Sequence, residues 1–526
     1  MSAQDDTLDL VRGVAVADIP DGGLLGGTVG GEAVMLARWT DDAGRVQISA
    51  LDATCTHNGA ALPNGIRTGN RVHCPFHHAC FDLRTGEAEL QPAYLPLRQW
   101  HVRVADGIAH VSAAAPAGAP AGTTGPVPGP AERVDNTRGV RRVVVLGGGA
   151  AGFAAVERLR RVGYDADVTL LSAEPHVPVD RTKLSKAYLS GQAGAEALPL
   201  LPESWYADHG VGLRLSTRAA AIDLAGHSVT LADASSVPFD ALVLATGAEP
   251  KRPSVPGFDR PDVFVLRSVA DADAIIAAAG VARRIVVLGS GFVGLETAAA
   301  MRDRGIEVTV VSPQPVPLVA QIGEDLGHLV HAVHVGHGVG FRTGTAAAWT
   351  GEELQLEDGT AVPADAVVLG MGVVPRSQLA EAAGLAVDDG VLVDGYGETA
   401  YAGVFAAGDV ARFPDPLTGR PIRVEHWAQA ERAGALAAIN LLGGAQPSIE
   451  PPYFWSRHWT LNIRYAGHAE STRDAAIDGS ITERDAVVRY SEGGRVTAVA
   501  GVGRDREVLQ LEDSLLRAPP PEPPAA

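Results

Sequence analysis

The sequence contains the same strand, glycine-rich turn and helix twice, and this repeat limits the folds that are open to the chain. The first copy is RRVVVLGGG followed by AAGFAAVERLRRVG, and the second is RRIVVLGSG followed by FVGLETAAAMRDRG. Equivalent glycines, Gly147 and Gly289, are 142 residues apart. A β-branched strand that turns at glycine into a helix is typical of a parallel sheet covered by helices. The repeat therefore predicts two α/β domains of the dinucleotide-binding type.

The segments outside the repeat differ from it in pattern and composition. Short alternating apolar segments between Gly and Asp turns predict a small all-β domain before the repeat. A stretch rich in Pro, Gly, Ala and Thr cannot bury a core, so we expect a flexible linker there. The predicted division is 1–112 for the all-β domain, 113–139 for the linker, 140–262 with 375–445 for the first α/β domain, 263–374 for the second, 446–517 for a C-terminal α+β domain and 518–526 for a frayed tail.

Composition bears on partners and location. The 526 residues are 46% hydrophobic and carry a net charge of -19. An acidic surface repels phosphate backbones and anionic lipid, so we expect neither a nucleic-acid partner nor a membrane partner. The sequence shows neither an apolar run long enough for a membrane span nor the pattern of a secretory signal, which predicts a cytoplasmic location.

All three cysteines fall within 26 residues, an arrangement that suits a local metal site better than a disulfide scaffold. The segments CTH and CPFH supply two thiolates and two imidazoles from two loops. This set is the Rieske [2Fe–2S] ligation, in which His replaces Cys on one iron. A structural zinc site with the same ligands is the less usual alternative. Cys80 is expected to be a plain buried thiol. The predicted ligands are Cys55, His57, Cys74 and His77.

Both loops, CTHNGAALPNG and CPFHHACFDLRTGE, resemble those of Rieske ferredoxin-type domains over about residues 8–112. High-potential members of that family add a disulfide between the loops and hydroxyls that donate hydrogen bonds to the sulfurs. This sequence lacks the extra cysteine pair and has Ala79 where a serine often stands. Fewer donors stabilise the reduced cluster less, so the resemblance predicts a potential near the low end of the Rieske range, about -150 mV.

Each copy of the repeat carries glycines in G-x-G-x-x-G register. Such glycines allow a tight turn, the approach of a pyrophosphate and close helix packing, and the helix N-terminus attracts phosphate. Glu174, 22 residues past the first register, can bind a ribose hydroxyl. The second copy has Ser312 at the matching strand end, which leaves NADH or NADPH open, with NADH favoured by resemblance. The two registers are Gly147, Gly149 and Gly152, and Gly289, Gly291 and Gly294.

Other segments resemble flavoproteins of the ferredoxin-reductase type. ALVLATGAEPKR, VFAAGDVARF and VPVDRTKLSKAYLSG resemble the ATG motif, the second FAD motif and the flavin-lining segment, and VEHWAQAERAG and PPYFWSRHW resemble the late aromatic segments. This resemblance implies that the two α/β domains are glutathione-reductase-like and that FAD is bound. The implied FAD-binding residues are Arg181, Lys186, Thr246, Gly247, Gly408, Asp409 and Trp427, and the implied catalytic residues are Lys186, Glu296 and Trp455.

Residues 8 to about 515 together resemble apoptosis-inducing-factor-like NAD(P)H oxidoreductases that carry an N-terminal Rieske domain. The resemblance implies that electrons pass from NAD(P)H through FAD to the cluster and on to an unidentified acceptor, for which a protein is one candidate. Residues 139–526 contain no cysteine, so no redox disulfide can receive the electrons. Two alternatives remain open: a redox-sensing or signalling flavoprotein, and the reductase component of an oxygenase system.

Overall fold

The computed structural model describes residues 8–41, 43–113, 123–124 and 133–517. It divides into an N-terminal unit, Met1–Arg133 with Asp505–Ser514, and a second unit, Val134–Arg504 with Leu515–Ala526. Most of the predicted linker and the whole predicted tail lie outside the described residues. Residues 134–139, at the end of the predicted linker, belong to the second unit: Thr137 N–H donates to Leu442 O over 2.9 Å, and Arg138 pairs with Glu398.

The N-terminal unit is built from antiparallel strands, as the alternating apolar pattern predicts. Inward-facing side chains such as Val34, Leu36 and Trp100 are almost completely buried. The order of the larger sheet is Val14–Ala15, Ile108–Ser112, Gln99–Ala105, Val46–Asp52, Glu32–Thr40 and Leu24–Val29, with Thr123–Thr124 also paired to Gln99–Ala105. The smaller sheet contains Ile66–Thr68, Arg71–His73, Cys80–Asp82 and Ala88–Leu90.

The last helix of the chain, Asp505–Arg517, contributes residues 505–514 to this N-terminal unit. Val508 and Leu509 are buried, and Glu512 is 4% exposed. The Glu512 carboxylate contacts Nδ1 of His78, which follows the predicted ligand His77 directly. The unit is therefore assembled from both ends of the sequence.

The first copy of the repeat forms a five-stranded parallel sheet in the second unit. Its central strand, Arg142–Leu146, is buried on both faces, which explains its unbroken apolar run. The helices Ala150–Arg161 and Trp427–Leu441 pack so closely that a Cβ on Gly434 would lie 2.0 Å from Ala151 O. The strand order is Val211–Arg214, Asp167–Leu171, Arg142–Leu146, Ala241–Leu244 and Val404–Ala406.

The second copy forms another five-stranded parallel sheet. Its strand order is Val263–Val265, Ala366–Leu369, Arg284–Leu288, Glu307–Ser312 and Val339–Thr343, and its helices are Val269–Ala279, Phe292–Asp303 and Val319–Gly336. Each parallel sheet is accompanied by a three-stranded antiparallel sheet. These are Ala219–Asp223, Ser228–Leu231 and Ser236–Pro238 for the first, and Ala346–Trp349, Glu353–Leu356 and Ala361–Pro363 for the second.

A five-stranded antiparallel sheet completes the second unit, in the order Tyr453–His458, Leu461–Gly467, Arg495–Val502, Asp485–Glu492 and Ala475–Ser480. Short elements fill the remainder: strands Ala248–Pro250 with Val373–Pro375, strands Val391–Leu392, Ala411–Pro414 and Pro421–Ile422, and helices Glu203–Asp208 and Gln378–Ala382. The predicted fold class, one all-β domain, two α/β domains and a C-terminal α+β part, is confirmed. In the part of the chain that the structure describes, no helix has the length and apolar character needed to cross a bilayer.

Candidate functional site

A cavity of about 430 Å³ lies at the carboxyl ends of the strands of the first parallel sheet. Ligands of open α/β sheets bind at this edge. The structure brings most of the predicted flavin residues together here. The predicted residues that line the cavity are Gly147, Gly149, Glu174, Arg181, Lys186, Thr246, Gly247, Glu296, Gly408, Asp409, Trp427 and Trp455.

The first glycine loop leaves room for a group that approaches the backbone. Gly147 has a φ of 119°, and a Cβ there would lie 2.1 Å from Ala245 O. A Cβ on Gly152 would lie 1.8 Å from Gly147 O, so this glycine packs the helix and does not line the cavity. A Cβ on Gly149 meets no atom within 4 Å, and the helix that begins there has no side-chain cap. Free space beside uncapped N–H groups fits a pyrophosphate.

Two ion pairs flank the cavity. Arg181 Nη2 lies 2.6 Å from Glu174 Oε1, and Arg267 Nη2 lies 2.7 Å from Asp409 Oδ2. Burial, followed by the nearby Arg267 charge, lowers the pKa of Arg181 from its ordinary value. Sequence patterns did not identify Arg267, because it belongs to no motif and reaches Asp409 across 142 residues of chain.

A third pair, Lys186 and Glu296, joins the two copies of the repeat. Lys186 Nζ lies 2.7 Å from Glu296 Oε2, and Glu296 is only 5% exposed. Ser185 Oγ donates to the same oxygen over 2.6 Å, and Ser456 Oγ donates to Oε1 over 2.7 Å. Lys186 itself has a non-helical backbone, with φ -122° and ψ -105°, within the π-helical turn Leu184–Tyr188. The two serines carry no sequence signal of their own.

Aromatic rings occupy the remaining wall. Trp427 and Trp455 line the cavity, and the Phe454 ring lies 4.5 Å from His426 and 4.8 Å from Phe292 between centroids. Burial lowers the pKa of His426 to about 4, although Asp409 opposes the shift, so the imidazole is neutral near pH 7. These rings therefore add apolar surface and no charge of their own to the wall.

The second glycine loop lies at the end of the second parallel sheet and is not part of the cavity wall. A Cβ on Gly289 would lie 2.4 Å from Gly370 O, and a Cβ on Gly294 would lie 2.4 Å from Gly289 O. The helix that follows brings Phe292 and Glu296 to the first cavity. The helix that begins at this loop therefore connects a dinucleotide bound there to the residues of the first cavity. Gly291 caps the helix start.

The two predicted cluster loops have the same backbone hydrogen bonds. Cys55 N–H donates to Ala60 O over 2.9 Å, and Cys74 N–H donates to Ala79 O over 2.8 Å. The backbone N–H of the fourth residue after each cysteine donates a hydrogen bond to the carbonyl of that cysteine. That residue has a positive φ in both loops, 72° at Gly59 and 58° at His78. The loops are structural copies, which sets each cysteine in an equivalent position.

The predicted ligands meet as one sulfur pair and one nitrogen pair. Cys55 and Cys74 are buried at 3% and 1% exposure, and all three cysteines, which lie in the described part of the chain, are without a disulfide. A hydrogen bond from Cys74, helped by the N–H groups of His57 and Asn58, lowers the pKa of Cys55 to about 7. His57 Nδ1 lies 3.0 Å from His77 Nδ1. Two thiols and two imidazoles in separate pairs fit two irons of different ligation. Cys80, in contrast, contacts His73.

Comparison with known families matches residues 141–434 to the pyridine nucleotide-disulphide oxidoreductases. The chain belongs to this oxidoreductase family. Residues 10–101 match the Rieske [2Fe-2S] domain, and residues 453–526 match the reductase C-terminal family. The oxidoreductase therefore uses FAD, NAD(P)H and a [2Fe–2S] cluster, as the sequence predicted. The assignment of individual residues to these groups stays a prediction.

The relatives of this oxidoreductase include two groups. Apoptosis-inducing factor 3 of Homo sapiens is 30% identical over 481 residues, which cover 89% of this chain and 78% of that protein. The anthranilate 1,2-dioxygenase system ferredoxin–NAD(+) reductase component of Burkholderia cepacia is 36% identical and covers 72% of this chain and 95% of its own length. The crystal structure of the covalent putidaredoxin reductase–putidaredoxin complex superposes with a TM-score of 0.68 at 32% identity, covering 72% of this chain and 93% of that one.

The resemblance to both groups confirms the predicted enzyme class. The oxidoreductase is an apoptosis-inducing-factor-like, FAD-dependent NAD(P)H oxidoreductase of the ferredoxin-reductase type with an N-terminal Rieske domain. The first of these relatives matches along most of this chain, including the Rieske part, whereas the bacterial reductase matches over 387 residues.

Substitution of Gly149 by valine in the oxidoreductase is expected to reduce FAD affinity at least about tenfold. The valine side chain would occupy the space beside the helix N-terminus that a pyrophosphate needs, and tenfold corresponds to about 1.4 kcal/mol. The measurement is bound FAD per chain from the visible absorbance. Gly336→Val, another glycine with open space around its Cβ, is the control that should keep its FAD. Full FAD content in Gly149→Val would contradict the predicted site.

The Rieske cluster of the oxidoreductase is expected to titrate at about -150 mV. The Thr56 hydroxyl donates a hydrogen bond to Leu95 O over 2.7 Å and is therefore not directed to the cluster. Ala79 has no hydroxyl that could donate to a cluster sulfur. Potentiometry followed by EPR measures the value. Ala79→Ser should raise the potential, because an added donor stabilises the reduced cluster. A midpoint well above zero in the unchanged protein would contradict the prediction.

Proposed function

We propose that this oxidoreductase oxidises NAD(P)H at the cavity and delivers the electrons, through its own Rieske cluster, to a separate protein. The observation that carries the proposal is the Lys186–Glu296 pair, which links the second glycine loop to a cavity built from flavin-type residues. The flavoprotein part, residues 139–526, contains no cysteine and so no redox disulfide that could accept electrons from the flavin. The Rieske cluster is the electron acceptor that the chain itself supplies. Bound FAD accepts two electrons together and releases them singly, and the cluster carries one at a time.

The residues of the first parallel domain are proposed to hold the FAD. The loop from Gly147 to Gly149 and the helix N-terminus would bind the pyrophosphate, and Glu174 would accept a ribose hydroxyl. Asp409, whose Oδ2 lies 2.7 Å from Arg267 Nη2, would accept hydrogen bonds from the ribityl chain. Arg181 supplies a partly buried positive charge in the same wall. Trp427 and Trp455 would cover the ring with apolar surface and limit the access of water.

The residues of the second glycine loop are proposed to bind the coenzyme. Ser312 is 5% exposed, and its hydroxyl contacts Ser290 Oγ at 2.9 Å and the carbonyl of Gln314 at 3.2 Å. Because Ser312 has no carboxylate, it provides no charged acceptor for the ribose hydroxyls of NADH. For the same reason it does not repel the 2′-phosphate of NADPH. NADH remains the coenzyme favoured by the relatives, two of which are named ferredoxin–NAD(+) reductase components.

The four cluster ligands are proposed to be Cys55, His57, Cys74 and His77. The sulfur pair and the nitrogen pair would supply two donors to each iron, which is the ligation of a Rieske cluster and agrees with the family match. The duplicated loops hold the pairs from both sides. A zinc site with these ligands would contain neither acid-labile sulfide nor an EPR signal on reduction.

An anaerobic titration with NADH and with NADPH tests the function. We expect NADH to bleach first the flavin bands and then the cluster bands, with a Rieske-type EPR signal in the reduced protein. Flavin bleaching without cluster reduction, even after prolonged incubation, would overturn internal electron transfer. The comparison of the two coenzymes at equal concentration also determines the preference that Ser312 leaves open.

The reductase component of an oxygenase system is the second candidate function. Several relatives are named as reductase components of dioxygenase or demethylase systems, among them the proteins from Burkholderia cepacia and Sphingobium. In this role the acceptor would be the iron–sulfur centre of a terminal oxygenase. Reduction of such an oxygenase in a reconstituted mixture, with NADH as the donor, distinguishes this role from signalling. The cytoplasmic location stays a prediction.

A further inference from the structure

A chain of buried hydrogen bonds begins at Glu296 and leads away from the cavity. Ser456 Oγ lies 2.7 Å from Glu296 Oε1, His458 Nε2 lies 3.1 Å from Ser456 Oγ, and His334 Nε2 lies 3.1 Å from His458 Nδ1. Ser456, His458 and His334 are each 0% exposed. Ser456 and His458 are two residues apart on the strand Tyr453–His458, so their side chains share a face. His334 belongs to the helix Val319–Gly336.

The carboxylate fixes the direction of every donor in this chain. An ionised Glu296 only accepts, so the Ser456 hydroxyl donates to it. The hydroxyl oxygen can then accept from His458 Nε2–H, which leaves His458 Nδ1 as an acceptor for His334 Nε2–H. This order makes His334 Nδ1 a bare acceptor, and that atom is buried with no hydrogen-bond partner among the described residues.

The surroundings favour neutral imidazoles. Burial lowers the pKa of His458 to about 3, with help from the Lys186 charge. Burial also lowers the pKa of His334 to about 2, with help from His458, His337 and His331. The remaining neighbours of His334 are aromatic: its ring centroid lies 5.0 Å from Trp459 and 6.2 Å from Phe341. Trp459 stacks on the exposed His337 at 3.8 Å, so solvent is close to this end of the chain.

We propose that Ser456, His458 and His334 form a proton-conducting chain that exchanges the proton of Glu296 with solvent behind the cavity. This inference rests on the proposed function and adds its proton route. It assigns a role to three residues for which the sequence patterns predicted none. Ser185, which also donates to Glu296, lies outside the chain because its hydroxyl contacts the other carboxylate oxygen.

The atoms balance over one passage. A proton arrives at His334 Nδ1, the Nε2 proton of His334 moves to His458 Nδ1, the Nε2 proton of His458 moves to Ser456 Oγ, and the Ser456 proton moves to Glu296 Oε1. The result is a neutral Glu296, two neutral imidazoles in the Nδ1–H form and an intact hydroxyl. The same shifts in reverse release one proton at His334 Nδ1. The two hydrogen-bond orders thus differ by one proton.

The established chemistry requires such an exchange. Oxidation of NAD(P)H to NAD(P)⁺ yields two electrons and one proton, and an iron–sulfur cluster takes the electrons alone. One proton for each coenzyme must therefore reach solvent from a cavity wall in which Glu296 is 5% exposed. Glu296 is the carboxylate at that wall that also has a continuous hydrogen-bonded path through the interior.

Histidine tautomers, read by ¹⁵N NMR of the oxidised holoprotein labelled in its imidazoles, provide a test that involves no turnover. His334→Gln and His458→Gln assign the two signals. We expect both histidines to be neutral and in the Nε2–H form near pH 7. A charged imidazole, or an Nδ1–H form of His458, would overturn the proposal, because the donors would no longer lead to Glu296.

Rapid-reaction kinetics in H₂O and D₂O mixtures provide the second test, with Ser456→Ala and the matched control Ser185→Ala. Both variants remove one hydroxyl from the same carboxylate, but only Ser456→Ala interrupts the chain. We expect Ser456→Ala to slow the proton-dependent phase of turnover at least about tenfold. We also expect it to change the dependence on deuterium fraction from curved to linear, whereas Ser185→Ala keeps the curve. Identical curves in the two variants would overturn the proposal. Failure of the proposed function would instead appear as unbleached chromophores in the unchanged protein.

Discussion

Replacement of Cys74 by serine is expected to abolish the iron–sulfur cluster and to leave the reduction of FAD by NAD(P)H intact. Cys74 is 1% exposed and lies against Cys55. A serine hydroxyl does not ionise near neutral pH, and soft thiolates are the ligands that iron–sulfur clusters select. The predicted FAD and coenzyme residues all belong to the second unit, whereas Cys74 belongs to the first.

Iron and sulfide analysis, EPR of the dithionite-reduced protein and stopped-flow absorbance of the flavin measure this outcome. Cys80→Ser is the matched control, since Cys80 is equally buried, contacts His73 and is not a predicted ligand. We expect it to retain two irons and two sulfides per chain. Loss of flavin reduction in Cys74→Ser, with FAD still bound, would show that the two units do not work as separate modules.

Replacement of Lys186 by methionine is expected to slow flavin reduction by roughly two orders of magnitude. Methionine keeps much of the length of the side chain and removes the ammonium group that lies 2.7 Å from Glu296. Breaking a buried ion pair from one side costs about 3–5 kcal/mol, because the remaining charge loses its partner. Part of this cost falls on the flavin site itself, since both residues line the cavity.

Stopped-flow reduction by NADH and denaturant unfolding together measure the effect. Lys251→Met removes an exposed lysine from the same unit and should change neither quantity. The double variant Lys186→Met with Glu296→Gln should recover much of the stability, because no unpaired charge remains, without recovery of the rate. An unchanged rate in Lys186→Met would remove the pair from the proposed site.

Local patterns in the sequence were sufficient to predict the architecture and most of the candidate site. The two strand–glycine–helix copies predict the parallel sheets because the conformational requirements of the turn fall on a few adjacent residues. Gly147 and Gly289, for example, adopt φ values of 119° and 111° where the backbone turns. The cluster loops are equally local, since each thiol and imidazole pair comes from one short segment. Such signals survive without any knowledge of tertiary packing.

Contacts between distant segments were not predictable in the same way. Ser456 reaches Glu296 across 160 residues, and Arg267 reaches Asp409 across 142. A lone serine or arginine has many possible partners, and its spacing in sequence does not select one. Lys186 was identified through its motif, whereas the serine beside it gained a role only when the fold brought Glu296 to it.

The placement of the last helix has a consequence for synthesis. A ribosome delivers the N-terminus first, and domains tend to fold as they emerge. Here the apolar surface of the N-terminal strands is covered only when Val508 and Leu509 have been synthesised. The contact of His78 with a carboxylate likewise requires Glu512. We therefore expect the nascent Rieske unit to mature only after residues 505–514 have left the ribosome, and a fragment that stops at Arg133 to expose an apolar face that those residues cover.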